Sequence, residues 1–174
     1  MVRPWLLLVV ALSLCAVASP AHAQRGPEKV FAGQIMTSNK PYPSSAKSAA
    51  AYVTAIKKQS RKVFAEDKEK GQWKIHFAAF LKAPLPDLEI GVKLFEVAGK
   101  TQTLVTSFEQ FTDERGQRTI ISKLQLDRAQ VGVNKDLVMV MAYKGKVLAT
   151  GRFRIVGEEE RSSGKVNFEE GEDD

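Results

Sequence analysis

A mainly β fold is predicted by three features of this sequence, most simply an antiparallel immunoglobulin-like β-sandwich with one N-terminal helix. Apolar and polar residues alternate with a period of two through most of residues 73–156. Clusters of Gly, Pro, Asn and Asp interrupt that alternation about every ten residues, as in sandwiches built from short strands. One stretch near the N-terminus has helical spacing instead. An α+β arrangement, an open antiparallel sheet packed on that helix, is the alternative architecture.

Residues 29–36 read as a first strand, ended by Ser38-Asn39-Lys40-Pro41 and Pro43, all turn-forming types. Ser44 and Ser45 are placed to cap a helix, since a serine side chain accepts from the free N–H groups of a first turn. Ala46, Ala49, Ala50, Val53, Ile56 and Ser60 recur at helical spacing, with lysines on the rest of the cylinder. Trp73, Ile75, Phe77, Ala79 and Leu81 then share one face of a strand, and Lys74 and His76 the other. A corner at residues 82–87, containing Pro84 and Pro86, leads to a strand that presents Leu88, Ile90, Val92 and Leu94. Ala98-Gly99-Lys100 is a hairpin signal, followed by a strand holding Leu104, Thr106 and Phe108. The turn Asp113-Glu114-Arg115-Gly116 introduces a strand with Ile120, Ser122, Leu124 and Leu126. Residues 137–143 and 147–155 flank the tight turn Lys144-Gly145, a two-residue hairpin signal. In the last strand Val147, Ala149, Phe153 and Ile155 are expected inside, with Arg152 and Arg154 outside.

Residues 1–23 have the form of an export signal. Arg3 supplies the cationic start, residues 5–17 a short apolar run, and Ala21-His22-Ala23 a small-residue cleavage site. The apolar run is too short to span a bilayer comfortably, so no transmembrane helix is expected in the mature chain. Leu14 before Cys15 is not the small residue a lipid-attachment site requires. The expected location is the periplasm or the extracellular medium, after cleavage near Ala23. The mature chain would hold one β-rich domain, residues 24–156, and an acidic tail, residues 157–174, of the composition common in disordered ends.

Cleavage would remove Cys15 and His22 and leave His76 as the only histidine. Thiol catalysis, disulfides and Cys/His zinc sites are then excluded. His76 lies in mid-strand and no Gly-Xaa-Ser-Xaa-Gly elbow accompanies it, which disfavours a serine triad. Phosphate-binding, dinucleotide and EF-hand motifs are absent from the sequence. An acid-residue hydrolase would have to draw on Glu89, Glu96, Glu109, Asp113, Glu114, Asp127 and Asp136, which linear spacing does not pair. The sequence thus points to a non-catalytic binding or structural module, with no catalytic, cofactor or metal residues assigned. A small-ligand or glycan binder using Trp73, Phe80 or Tyr143 is the alternative.

Charge directs attention to partners. The chain has a formal net charge of +6, but residues 24–156 carry 23 basic against 12 acidic side chains, and residues 157–174 carry two against eight. A basic body with an acidic tail suits either self-masking or two surfaces for partners of opposite sign. Lys57, Lys58, Arg61 and Lys62 form the densest basic group, with Lys68 and Lys70 nearby. Arg152 and Arg154, with Arg118 and Lys123 on a neighbouring strand, make a second candidate surface. The plain meaning of both is a solvated helix end and outward-facing charge that keeps sheet edges apart. The functional meaning is docking of an envelope protein or an anionic headgroup. Nucleic acid is not an expected partner of an exported chain, and no oligomeric state is implied. Residues 165–168 (Lys-Val-Asn-Phe) form an apolar island in the tail, able to add an edge strand or dock a partner.

Trp73-Lys74-Ile75-His76-Phe77-Ala78-Ala79-Phe80, Gly132-Val133-Asn134-Lys135 and Val147-Leu148-Ala149-Thr150-Gly151-Arg152-Phe153 resemble stretches of small exported proteins of myxobacteria and related bacteria. One setting of such proteins is the periplasmic part of the gliding-motility machinery. The resemblance implies a Gram-negative envelope home and no catalytic residues.

Overall fold

The structure is a computed structural model that describes residues 26–158. The export signal and tail residues 159–174, with the island at 165–168, lie outside the described residues. Among the described residues eight strands and three helices follow one another: α1 (Pro27–Val30), β1 (Gln34–Ser38), α2 (Ala49–Gln59), β2 (Val63–Ala65), β3 (Gln72–Phe80), β4 (Glu89–Ala98), β5 (Thr101–Phe111), β6 (Thr119–Asp127), α3 (Arg128–Val131), β7 (Lys135–Tyr143) and β8 (Lys146–Val156). The protein is mainly β. Its strands form one mixed sheet in the order β5-β4-β7-β8-β1-β3-β6, with β2 added on β8, curled as a half-barrel. An immunoglobulin-like sandwich divides its strands between two sheets; here the curl of one continuous sheet encloses the core. Most pairings are antiparallel, but β1 and β2 both run parallel to β8. Among the described residues no helix is long and apolar enough to cross a membrane.

The period-two alternation of β3 sets the two faces. Trp73, Ile75 and Phe77 point into the concave core with Val92 and Leu94 of β4, Leu126 of β6, Leu137 and Met139 of β7, and Phe153 of β8. Ala78 and Phe80 face the convex side, where they pack with Phe31, Tyr42, Tyr52 and Ile56 in a second core beneath α2. The helix starts one turn later than the serine pair suggests: Ser48, not Ser44 or Ser45, accepts from the Ala51 N–H at 3.2 Å. Starting there turns Tyr52 and Ile56 toward the sheet, so these larger side chains, rather than an alanine face, form the contact. The first strand is also displaced. Residues 27–30 make a helical turn with Pro27 at its start, and Gly33 at φ +77° opens β1 at Gln34.

Two β-bulges move residues from their expected faces. In β4–β5, Leu94 pairs with Thr106 but Phe95 with Leu104, which leaves Val105 as the extra residue. Leu104 is therefore half exposed on the outer face, not inside. In β7–β8, Met141 pairs with Ala149 but Ala142 with Val147. Leu148 is the inserted residue and is buried, while Val147 is exposed. A single extra residue reverses the side on which the residues beyond it fall. The tight turn is as expected, with Lys144 and Gly145 both at positive φ, the backbone of a two-residue hairpin.

The close approach of β1 to β8 depends on Gly151. A Cβ built there would lie 2.8 Å from the Ile35 Cβ and closer still to the Ile35 carbonyl oxygen. Gly151→Ala is therefore expected to push β1 away from β8 and to cost about 1–3 kcal/mol, the usual range for overpacking. Urea denaturation should show a lowered midpoint, whereas Gly26→Ala, which meets nothing within 4 Å, should leave the midpoint unchanged.

Candidate functional site

The two basic groups that are separate in the sequence meet in the fold. After α2 the chain turns directly into β2, and Val63 pairs with Arg154, Phe64 with Ile155 and Ala65 with Val156. The Arg154 N–H donates to the Lys62 carbonyl at 2.7 Å. Phe153 and Ile155 are buried and their neighbours Arg152 and Arg154 are exposed on the convex face. Lys62 thus lies alongside both arginines.

A shallow groove of about 490 Å³ opens between β2, β8, β7 and the end of β4. Val63, Val97 and Val138 provide its apolar lining, and Lys62, Arg152 and Arg154 its cations; Asp136 is the acidic member. Asp136 stands 3.8 Å from Arg154, with both side chains at least half exposed, so that pair is weak and screened. Lys62 and Arg152 also line an adjoining hollow with Thr37, Ser60 and Arg61. Arg61 in turn lines a third with Asn39, Lys40, Lys58 and Gln59. The cations form one continuous strip from Arg154 and Arg152 through Lys62, Arg61 and Lys58 to Lys40.

Hydrogen bonds hold the strip in place. Arg61 Nη1 donates to the carbonyls of Lys58 and Ser60 at 3.0 and 2.8 Å. The Arg61 N–H donates to the Thr37 carbonyl, and the Thr37 hydroxyl donates to the Arg61 carbonyl. Gln59 Nε2 donates to the carbonyls of Lys40 and Pro41, tying that loop to the end of α2. A strip fixed this way loses little backbone entropy when it meets a ligand.

Of Lys57, Lys58, Arg61 and Lys62 in the first basic group and Arg152 and Arg154 in the second, all but Lys57 therefore belong to one surface. Lys57 is exposed on α2 but lines none of the three hollows. Lys68 is paired with Glu158 beyond the end of β8, and Lys70 with Asp67 three residues before it. Arg118 and Lys123 do not join Arg152 and Arg154, because β1 and β3 intervene between β8 and β6. Val63, Val97, Val138 and Lys40 escaped sequence reading. A three-residue strand such as β2 has too few residues to display a period, and its partner lies some ninety residues away.

The remaining chemistry-bearing side chains are dispersed. Trp73 and Phe80 are buried in separate cores and cannot stack on a ligand. Tyr143 donates its hydroxyl to Asp87 Oδ2 at 3.0 Å. His76 pairs across β3 with Ser38 and Lys123. Partial burial lowers its pKa, and Lys74 and Lys123 lower it further, so it is neutral at pH 7 and flanked by cations rather than by the carboxylate of a triad. Among the described residues no cluster of three or more His, Cys, Asp or Glu side chains could hold a metal ion.

Glu89 and Glu109, by contrast, do come together. Register brings Glu109 opposite Gly91 and next to Glu89 on the outer face of the β4–β5 hairpin. Desolvation raises the Glu89 pKa, and the neighbouring charges of Glu109 and Asp87 raise it further. A carboxyl whose folded pKa is raised binds protons more readily in the native state, so its contribution to stability is present at acid pH and is lost as pH rises through the folded value. Glu89→Gln should remove that loss. The variant's urea midpoint should exceed the parent's at neutral pH, and the difference should shrink on acidification. A difference that grows on acidification would be inconsistent with this pairing.

Comparison of the sequence with protein-family models and with curated proteins found no match to either.

Proposed function

We propose that this protein is a non-catalytic binding module of the cell envelope, periplasmic or secreted, which docks an acidic protein segment along the convex face of its sheet. One observation carries the reading: cations remote in sequence are assembled into a single strip, anchored at Arg61 by hydrogen bonds, beside an apolar groove. A strip of this kind steers acidic partners electrostatically, and apolar contacts along the groove would add dwell time. The apolar lining favours a polypeptide over a headgroup, because a headgroup would engage the cations alone. The envelope setting rests on the signal-like residues 1–23 and on the resemblance to exported myxobacterial proteins, among which the gliding-motility machinery offers one home.

The test is equilibrium binding of a fluorescent polyglutamate peptide, run in parallel with phosphatidylglycerol vesicles. Peptide binding at low salt that weakens as salt rises is the expected result. Charge reversal with Lys62→Glu and Arg152→Glu should weaken it by about tenfold or more, equivalent to ~1.4 kcal/mol. Equal affinity in parent and variant, or binding to vesicles without binding to peptide, would overturn the reading.

A further inference from the structure

We propose that the acidic segment 165–174 of this same chain folds back into the convex groove and competes with the external partner there. Its regulatory half rests on the docking reading above; occupancy of the groove does not.

Where the described chain leaves the body makes the return path short. The Gly157 N–H donates to Asn134 Oδ1 at 3.2 Å, and Arg128 Nη2 donates to the Glu158 carbonyl at 2.5 Å. Lys68 pairs with the Glu158 side chain. The exit point is therefore fixed at the end of β8, six residues beyond Arg152, a distance of about 20 Å at strand spacing. Ser162-Ser163-Gly164 follows, a run of types that reverse a chain readily. The ten residues from Glu158 to Phe168 reach about 33 Å when extended, more than the return requires.

The order of residues in the segment matches the order of features on the surface. Val166 and Phe168 are two apart, so in extended backbone they face the same side, as insertion between Val63, Val97 and Val138 demands. Five acids follow among residues 169–174. Because β2 runs parallel to β8, the chain before Val63 leads away from the exit point, through Lys62 and Arg61 toward Lys58. A segment returning along the groove therefore places its apolar pair first and its carboxylates beyond it, against those cations. Residues 159–174 carry seven acids against two bases, so the charges are complementary. Tethering adds an effective concentration in the millimolar range for a short linker.

Zero-length carbodiimide coupling tests this on the full chain, with light and heavy isotope copies mixed so that links within and between copies are distinguished. Amide links from Glu169, Glu170 or Glu172 to Lys62 or Lys58 within one copy, suppressed by salt and by Val166→Ser with Phe168→Ser, are the expected result. No such links, links spread equally over distant lysines such as Lys93 and Lys146, or links only between copies would overturn the occupancy. For regulation, Glu169→Gln, Glu170→Gln and Glu172→Gln together should raise polyglutamate affinity by about tenfold. An unchanged affinity overturns the competition. Intramolecular links with no peptide binding in either chain would refute the docking function and its regulation while leaving the segment in the groove.

Discussion

Replacing Arg128 with alanine is expected to destabilise the fold by about 3–5 kcal/mol, the cost of stranding a buried charge whose partner is removed. The charge is Glu66, whose side chain is only 4% exposed. Arg128 Nη1 donates to both of its carboxylate oxygens, at 3.0 and 3.2 Å. The pair joins the loop after β2 to the first residue of α3, and Arg128 Nη2 also holds the Glu158 carbonyl. The carboxylate also packs against Gly157, where an added Cβ would collide with it. The loss should appear in urea denaturation as a lowered midpoint with an unchanged slope. Adding Glu66→Leu should restore much of it, because removing both charges removes the stranded one. A midpoint shift no larger than that of an exposed arginine would show that water reaches Glu66 and that this junction is not closed.

The sequence discloses the parts of this fold that depend on local alternation and hides those that depend on distant pairing. Trp73, Ile75, Phe77 and Ala79 alternate without interruption, and all four are buried on one side of β3. The Lys144-Gly145 turn announces its hairpin because the backbone it requires selects for glycine. Leu104 and Val147 break the pattern for a different reason: Val105 and Leu148 are bulge residues, and no composition rule distinguishes a strand with one extra residue from a regular one. Ser48 is preferred to Ser44 and Ser45 as the cap by tertiary packing, since the chosen register buries Tyr52 and Ile56 against Phe80.

The candidate site was legible as residues and not as a surface. Lys58, Arg61, Lys62, Arg152 and Arg154 stand out by charge alone, yet the β2–β8 pairing that unites them is a three-residue parallel contact. Parallel neighbours need a long crossover, so nothing near either segment betrays the other. The apolar side of the groove is still less visible. Val97 and Val138 lie in strands whose other faces form the core, and on the sequence each is an ordinary strand valine. The Glu89–Glu109 proximity likewise depends on register across the hairpin.

Phe153→Ala and Arg154→Ala, adjacent substitutions on β8, are expected to differ by several kcal/mol. Phe153 is 3% exposed and meets Phe64 edge to face, with ring centroids 5.8 Å apart. Its removal takes away a buried ring and leaves a cavity, a change that costs about 3–5 kcal/mol in protein cores. Phe64 belongs to β2, so this ring pair also helps to fasten the three-residue strand that aligns Lys62 with Arg152. Arg154 faces the groove instead. Its ion pair with Asp136 is long at 3.8 Å and both side chains are solvated, so its loss should shift stability by no more than about 0.5 kcal/mol. The two variants should separate in the opposite sense on binding. Arg154→Ala should weaken capture of an acidic peptide while the denaturation midpoint holds, and Phe153→Ala should lower the midpoint first. Equal midpoints would mean that β8 presents the wrong residues to the core, and with that reversal the arginines would leave the convex face and the strip would no longer exist.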